Sequence, residues 1–594
     1  MGRLAEAVAS FRQAVSLDDV FAEAFSNLAS VLNDQGAIDD AISNYRRALE
    51  INPKSALTYY NFAAALNDAG RSDEAGENYR IAIMINPNFA EAHNNLGSVY
   101  MNLRCLDEAE ACYQTAINIQ PEFSEAHNNL GNAYREKAWF DEAVECYQKA
   151  VNLDPQFSDA HRNLGSAYKD LSKIPEAVEA YNTAIKLNPE SAEALTNLGE
   201  LYEMMSQLDE AESSFEKALS VVPNYPNASI GLSVIKRRRG ETQQAIDVLE
   251  SIPDETLSVQ NGYRVQFELG KLYDLLGQTE KAFAHLVLGN RLQFDNRGDN
   301  IQPEEYFGLV ESIANSMTTE FASSLNPFSD TDGYESPIFL VGFPRSGTTL
   351  LDQILDAHPR LQVMEERPAL DRAVAEIGGY PEAISTLSDG DLHSLRGQYF
   401  EVVDQYLGRK PGTILVDKLP LNIIHMALIV RLFPDARIIL AIRHPCDVVL
   451  SNFMQMFQLN NAMGNFCSVE QATKLYGRVM GLWLRSEEML PLNFYLSRYE
   501  DLVHDVEGSA RSLLQFLNVE WDDAVLGHTA HARQRGKINT PSYSQVTEPI
   551  YQRARFRWLR YKPQLEGVLD DLESYAVAFG YPRLAESPGK QRAV

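Results

Sequence analysis

A period of 34 residues is the feature that most constrains what this chain can fold into. Proline recurs at one position of this period, in Pro53, Pro87, Pro121, Pro155, Pro189 and Pro223. An alanine stands twelve residues before each proline, an aromatic residue stands eight before it, and a second alanine stands five before it. Small residues at helical spacing let two helices pack closely, and a proline ends a helix because it lacks the N–H donor. The period therefore predicts a stack of antiparallel helix pairs.

This pattern resembles the tetratricopeptide repeat. Later units also open with a Leu-Gly pair: Leu96-Gly97, Leu130-Gly131, Leu164-Gly165 and Leu198-Gly199. We read a half repeat that ends near Val20, six regular repeats and two degenerate ones, which together fill residues 1–296. A helix and a polar linker follow over 297–336, and a second domain over 337–594. Because the chain begins in the middle of a repeat, the sequence leaves open whether a segment precedes it.

Asparagine occupies the sixth position of every regular repeat. The six residues are Asn27, Asn61, Asn95, Asn129, Asn163 and Asn197. An amide carries both a donor and an acceptor, so it can pair with a peptide backbone of any sequence. The series resembles the asparagine ladder in the repeat domain of O-linked N-acetylglucosamine transferase, which implies a polypeptide substrate or partner in the concave face of the array. The alternative is that these amides bond within or between repeats.

The stretch PIFLVGFPRSGTTLL, residues 337–351, predicts a buried strand, a tight glycine loop and the first turns of a helix. Such a unit cradles phosphate, because backbone N–H groups and the positive end of the helix dipole face an anion. The spacing is that of a P-loop, but Thr348 stands where the P-loop lysine would be.

Further apolar runs alternate with helical segments after this loop. Residues 413–416, 437–442 and 493–496 predict buried strands, and 360–364 form a short extended run. Polar or charged residues follow each run, where the functional loops of a parallel sheet lie. The predicted fold class is therefore an all-α repeat superhelix followed by an α/β, P-loop-like domain with a central parallel sheet.

Four ordered motifs resemble those of the sulfotransferases that use 3′-phosphoadenosine 5′-phosphosulfate (PAPS): GFPRSGTTLL, IRHPCDVVLSNF, RYEDL, and TPSYSQVTEPIY with RFRWLRY. The segment DAHPRLQVMEERP is most similar to the tyrosylprotein sulfotransferase branch. Because protein cations can neutralise the phosphosulfate and the 3′-phosphate, the resemblance implies no metal and explains the missing lysine. It implies these contacts: Arg345, Ser346, Gly347, Thr348 and Thr349 on the 5′-phosphosulfate, Arg443 and Ser451 on the 3′-phosphate, Tyr499 on the nucleotide, and Ser542 and Arg557 in a C-terminal segment that closes over it.

The resemblance also implies catalytic roles for three residues. Glu366 would be the base for the acceptor hydroxyl, with Glu365 as its rival, because a positioned carboxylate helps to deprotonate a phenol. Arg345 would stabilise charge on the leaving phosphate. Lys418 would support the sulfonate or protonate the leaving group.

The acceptor is less well defined than the donor. Arg372 matches a family arginine on the acceptor side, but Pro368 stands where the tyrosylprotein branch has another arginine. Gln455 replaces an arginine that the family has four residues after its 3′-phosphate serine. We therefore expect a protein-tyrosine sulfotransferase-like enzyme, with three alternatives: a saccharide or small-molecule acceptor, a non-catalytic nucleotide-binding scaffold, and a nucleotide triphosphatase, the last disfavoured by the missing lysine.

Composition excludes several other classes of function. A formal net charge of −30 argues against a general nucleic-acid binder. The five cysteines form no CxxC pair, so neither a zinc site nor a disulfide framework is indicated. No apolar stretch approaches the length of a membrane span, and the amphipathic N-terminus lacks the apolar core of a signal peptide, so we expect a cytoplasmic protein.

Overall fold

The computed structural model describes residues 2–298, 300–329, 333–527 and 555–584, and the chain divides into two compact units, Met1–Ile235 and Lys236–Val594. The predicted fold class is confirmed, since an all-helical repeat superhelix is followed by a domain with a parallel sheet. The helices of the first unit are α1 Gly2–Leu17, α2 Ala22–Asp34, α3 Ile38–Ile51, α4 Ala56–Asp68, α5 Ser72–Ile85, α6 Ala90–Asn102, α7 Leu106–Ile119, α8 Ser124–Glu136, α9 Phe140–Leu153, α10 Ser158–Asp170, α11 Ile174–Leu187, α12 Ala192–Met204 and α13 Leu208–Val221, and α14 Pro226–Arg238 crosses the division.

The repeat pattern is explained by packing inside each helix pair. The aromatic residue of the second helix is buried in every regular repeat, as Tyr147 illustrates with an exposure of 0%. In four repeats it presses on the glycine of the first helix: a Cβ at Gly131 would lie 2.6 Å from Cε1 of Tyr147. A side chain larger than hydrogen at this glycine would therefore collide with the ring, which accounts for the Leu-Gly pairs.

The second unit begins with helices and continues into the sheet. Its first helices are α15 Thr242–Glu250, α16 Val259–Leu275, α17 Thr279–Asp295, α18 Pro303–Ser316 and α19 Thr319–Ser324. The pair α16 and α17 is the last degenerate repeat, and α18 is the helix expected before the linker. The structure groups this repeat with the sheet, while the domain boundary near residue 296 stays a prediction.

Five parallel strands form the sheet in the order β2-β3-β1-β4-β5. They are β1 Ile338–Gly342, β2 Leu361–Glu365, β3 Ile414–Lys418, β4 Arg437–Ile442 and β5 Asn493–Arg498. The chain moves to one side of β1 for β2 and β3, and to the other side for β4 and β5. The loop after β1 therefore lies at a topological switch point, where ligands bind in open α/β sheets.

Helices cover both faces of this sheet, so β1 is buried along its whole length. They are α20 Thr348–Asp356, α21 Ala369–Glu376, α22 Asp389–Tyr406, α23 Met426–Leu432, α24 Pro445–Phe453, α25 Val469–Met489, α26 Tyr499–His504, α27 Val506–Phe516, α28 Lys562–Leu565 and α29 Leu569–Ala578. A 3₁₀ helix, Arg557–Tyr561, precedes α28. Across the described ranges, no helix combines the length and the apolar character needed to cross a membrane.

Candidate functional site

The loop between β1 and α20 has a backbone that only its own glycines allow. A Cβ at Gly342 would lie 2.4 Å from the carbonyl oxygen of Ala441. Gly347 has a φ of 98°, in the left-handed region, and its Cβ would lie 2.7 Å from the ring of Tyr499. Asn452 fixes the loop from α24, since its Nδ2 donates to the carbonyl of Pro344 at 2.8 Å.

This loop presents the N-terminus of α20 at the carboxyl edge of the sheet. Thr348 and Thr349 open the helix and are 4% and 8% exposed, and Ser346 is 3% exposed. The first N–H groups of a helix have no partner inside it, and the helix dipole is positive there. The residues predicted to hold a phosphosulfate thus form an anion-binding geometry.

The predicted 3′-phosphate residues meet this loop. Nε of Arg345 donates to Oγ of Ser451 on α24 at 3.2 Å. Arg443, at the end of β4, places its guanidinium carbon 4.9 Å from the ring centre of Tyr499. The structure therefore brings together four residues from three separate motifs, since Ser451 contacts Arg345 and Tyr499 lies against both Arg443 and Gly347 of the loop.

A buried aspartate, Asp447, lies beside Arg443. Oδ2 of Asp447 lies 3.9 Å from the guanidinium of Arg443, and Oδ1 accepts the backbone N–H of Trp558 at 2.9 Å. Burial raises the pKa of Asp447 to about 6, even though Arg443 acts to lower it. Asp447 therefore joins the predicted 3′-phosphate arginine to the chain segment around Trp558.

A second charged cluster surrounds Lys418 at the end of β3. Its ammonium is 0% exposed and lies 2.7 Å from Oε1 of Glu366, 3.4 Å from Oε1 of Glu365 and 3.5 Å from Oδ2 of Asp352. Burial lowers the pKa of Lys418, but Asp352, Glu366 and Glu365 raise it by more, so its pKa lies above the usual lysine value. Lys418 therefore remains a buried cation facing three carboxylates.

The two glutamates differ in their access to solvent. The side chain of Glu365 is 5% exposed, whereas that of Glu366 is 30% exposed. Glu366 has a φ of 47°, and its backbone N–H donates to the carbonyl of Lys418 at 2.7 Å. Oε2 of Glu366 makes no hydrogen bond within the described residues. Of the two candidate bases, Glu366 is thus the one whose carboxylate can meet an acceptor.

The other predicted site residues are not brought to this cluster. Arg372 is exposed on α21. Arg557 directs its guanidinium to the carboxylate of Asp274 at 2.6 Å, so its predicted contact with the nucleotide stays a prediction. Ser542, with the rest of the segment 540–551, lies outside the described residues.

The central asparagines of the repeats bond to one another. Nδ2 of Asn163 donates to Asn128 at 2.9 Å, Nδ2 of Asn128 to Asn129 at 3.3 Å, and Nδ2 of Asn129 to Asn94 at 3.0 Å. The series continues from Asn94 to Asn95 at 3.3 Å and ends on the hydroxyls of two tyrosines. The alternative of bonding between repeats therefore holds for Asn95, Asn129 and Asn163.

The outer asparagines behave differently. Asn61 and Asn197 are half-buried, Asn27 is exposed, and the side chains of all three make no hydrogen bond within the described residues. Their role in binding a polypeptide stays a prediction.

Several residues of these clusters were missed from the sequence. Asp352 carries no local signal, because only packing between distant elements brings it to Lys418. Asn452 did have a signal, since it stands directly after Ser451 in the motif IRHPCDVVLSNF. Asn94 and Asn128 did have a signal, since the tetrapeptide Ala-His-Asn-Asn recurs in two repeats at the predicted phase.

These residues fit an anionic donor that carries two separate phosphate groups. Arg345 and the start of α20 form one positive region. Ser451 accepts from Arg345, and Arg443 lies over the ring of Tyr499, which packs against Gly347 of the same loop. In the part of the chain that the structure describes, His, Cys, Asp and Glu side chains form no group of three that could hold a metal ion.

The fold and the loop define an α/β domain in which a glycine loop leads into a helix N-terminus at the switch point of a parallel sheet. Comparison with known proteins gives the families. A model described as the sulfotransferase family matches residues 337–523, and models of the tetratricopeptide repeat match segments between residues 29 and 225. The chain thus carries tetratricopeptide repeats in its N-terminal part and a sulfotransferase-family domain in its C-terminal part.

The individual relatives are distant. An uncharacterised protein of Aquifex aeolicus is 28% identical over 350 residues, which are 56% of this chain but only 44% of that protein. Protein-tyrosine sulfotransferase 2 of Gallus gallus is 26% identical over 272 residues, which are 42% of this chain and 71% of that protein. Among solved structures, the APC/C hetero-tetramer Cut9-Hcn1 aligns with a TM-score of 0.36 and 20% identity over 39% of this chain and 46% of that one.

Proposed function

We propose that this protein is a sulfotransferase that moves a sulfonate group from PAPS to a hydroxyl, and that the acceptor is a tyrosine of a polypeptide bound by the repeat array. The observation that carries the proposal is the pair of Glu366 and Lys418 at 2.7 Å, beside the anion-binding loop on the carboxyl edge of the sheet. A sulfotransferase-family domain implies a sulfonate donor such as PAPS.

When bound, PAPS supplies the sulfonate group and leaves as adenosine 3′,5′-bisphosphate. Glu366 accepts the proton of the acceptor hydroxyl through Oε2, while Lys418 holds Oε1 and fixes the orientation of the carboxylate. Arg345 and the N-terminus of α20 bind the negative charge that develops on the phosphate side. Arg443 and Ser451 hold the 3′-phosphate and thereby orient the donor.

A polypeptide acceptor is supported by two observations. The relatives that match the C-terminal part include proteins named as protein-tyrosine sulfotransferases. Asn61 and Asn197 also hold half-buried positions of the repeats, and their amide groups make no hydrogen bond among the residues that the structure describes.

A saccharide or small-molecule acceptor is the second candidate, with the array binding a partner protein. It is favoured by Pro368, which stands where the tyrosylprotein branch has an arginine, and by the exposed position of Arg372.

Transfer from ³⁵S-labelled PAPS tests the proposal. The full chain is incubated with labelled PAPS and a cell lysate, and protein, glycan and small-molecule fractions are then separated. Label in protein, recovered as sulfotyrosine after hydrolysis, is the expected result. Label only in the other fractions would contradict a polypeptide acceptor. PAPS binding without any transfer would favour a non-catalytic scaffold.

Replacement of the proposed base separates chemistry from binding. Glu366→Ala should abolish transfer and leave the affinity for adenosine 3′,5′-bisphosphate nearly unchanged, because Glu366 faces the acceptor and not the nucleotide. Glu376→Ala, an exposed glutamate on α21, is the matched control and should transfer normally. Loss of nucleotide binding by Glu366→Ala would show that its role is assigned wrongly.

The repeat asparagines are tested by binding. The triple replacement of Asn95, Asn129 and Asn163 by alanine should weaken the capture of protein acceptors. The control replaces two exposed asparagines on second helices, Asn118 and Asn152, in the same way. Unchanged binding of every protein partner by a folded triple variant would remove these amides from the proposal.

A further inference from the structure

The last helix pair of the repeats contacts the sulfotransferase-family domain through a buried carboxylate. Asp274, near the end of α16, is 7% exposed. Its Oδ2 accepts from the guanidinium of Arg557 at 2.6 Å, and its Oδ1 accepts from the hydroxyl of Tyr561 at 2.6 Å. Arg560 lies 3.3 Å from the same carboxylate. One acidic side chain thus fixes a whole turn of the 3₁₀ helix Arg557–Tyr561.

That 3₁₀ helix is also bound to the predicted 3′-phosphate site. The backbone N–H of Trp558 donates to Asp447 at 2.9 Å, and the Trp558 ring stacks on His444 with ring centres 5.0 Å apart. His444 directly follows Arg443, and Asp447 lies 3.9 Å from the Arg443 guanidinium. The position of the 3₁₀ helix therefore constrains the position of Arg443.

The second helix of the pair holds the other predicted 3′-phosphate element. Nδ2 of Asn290, on α17, donates to the carbonyl of Phe453 at 2.9 Å, and Nε2 of Gln293 donates to the carbonyl of Phe457 at 2.6 Å. Both amides are buried, and Phe453 is the last residue of α24, the helix that carries Ser451. The helix pair thus contacts α24 directly, and it reaches the end of β4 through the 3₁₀ helix Arg557–Tyr561.

We propose that the terminal repeat holds the 3′-phosphate end of the donor site in position, and that Asp274 is the central positioning residue of this repeat. The proposal rests on the proposed function, because it assigns Arg443 and Ser451 to the 3′-phosphate. Asp274 itself contacts Arg557, Arg560 and Tyr561, so we assign it no contact with the donor. It acts through Arg557, Tyr561 and Trp558, which keep Asp447 and Arg443 in place.

The test compares two nucleotides that differ only in the 3′-phosphate. Isothermal titration of the full chain measures the dissociation constants of adenosine 3′,5′-bisphosphate and of adenosine 5′-monophosphate. For Asp274→Asn we expect the constant for the bisphosphate to rise about 10-fold, the scale of a lost charged hydrogen bond, and that for the monophosphate to change less than about 2-fold. Tyr561→Phe, which removes one bond to Asp274, should show a smaller rise of about 3-fold with the same selectivity.

The control is Asp254→Asn, an exposed aspartate close to the same helix pair, which should bind both nucleotides as the wild type does. If Asp274→Asn does not fold, Tyr561→Phe decides the question. Unchanged bisphosphate binding by the folded variants, or equal weakening of both nucleotides, would overturn the positioning role. A wild-type protein that binds neither nucleotide would overturn the proposed function, and this inference with it.

Discussion

Lys418→Met should destabilise the second unit strongly, because Lys418 is the cation at the centre of a buried acidic cluster. Its ammonium lies within 3.5 Å of carboxylates of Asp352, Glu365 and Glu366, and the first two are 0% and 5% exposed. Methionine is an unbranched side chain only one heavy atom shorter than lysine, and it removes the charge together with the N–H donors. Loss of one partner from a buried ion pair costs about 3–5 kcal/mol, since the remaining charge stays buried.

The expected change in melting temperature follows from the size of the unit. Unfolding entropy is about 2.1 cal/mol/K per residue, so for a unit of roughly 360 residues a loss of about 4 kcal/mol lowers the melting temperature by about 5 °C. Tryptophan fluorescence follows this unit, because Trp483 and Trp558 are fully buried there, whereas Trp139 of the repeats is 47% exposed.

Two further variants show whether charge is the cause. Lys410→Met makes the same change at an exposed lysine and should melt with the wild type. The double variant Lys418→Met/Asp352→Asn should recover about 1–2 kcal/mol, because one buried carboxylate is neutralised. A melting temperature within about 1 °C of the wild type at pH 8 would refute the reasoning.

Three other variants test the fold and the site. Gly131→Ala should lower the free energy of unfolding by about 1–3 kcal/mol, because its Cβ would lie 2.6 Å from a ring carbon of the next helix. Gly76→Ala should not lower the free energy of unfolding, because the added Cβ would lie 3.5 Å from its nearest neighbour. Equal circular-dichroism melts for Gly131→Ala and Gly76→Ala would contradict the packing argument. Burial raises the pKa of Asp417 from 3.8 to about 7, so the wild type loses stability as pH rises through this range. Residue 417 does not titrate in Asp417→Asn. The free energy of unfolding of this variant in urea, relative to that of the wild type, should therefore increase from about pH 4 to about pH 8. A difference in unfolding free energy that does not change with pH would contradict the raised pKa of Asp417. Ser451→Ala should weaken adenosine 3′,5′-bisphosphate about 5–10-fold in titration calorimetry, and unchanged affinity would remove Ser451 from the site.

The repeats and the strands could be predicted because their signals are local. In four repeats the aromatic residue packs on the glycine sixteen residues before it, as Tyr147 does on Gly131, so one sequence period contains the whole contact. The central strands are short apolar runs buried on both faces, and β4 was predicted over the residues it occupies, Arg437–Ile442.

The site was predictable only as far as its motifs extend. Arg345, Ser451, Arg443 and Tyr499 each belong to a recognisable motif, and the parallel sheet brings their strand ends to one edge. Asp274 belongs to none, and it meets Arg557 across 283 residues of sequence. Nothing in a local pattern couples two residues so far apart, so the sequence assigned Arg557 to the nucleotide and had no account of Asp274.

The amide chain of the repeats changes how the asparagine series should be interpreted. Each primary amide has two N–H donors and an oxygen with two lone pairs, so one bond to a neighbour leaves capacity for a peptide. Bonding between repeats and binding of a polypeptide are thus compatible, but a variant of Asn129 alters both at once. Asn61 and Asn197 lack such bonds within the described residues. Their replacement by alanine removes no link between repeats, so a loss of acceptor binding there would report binding alone.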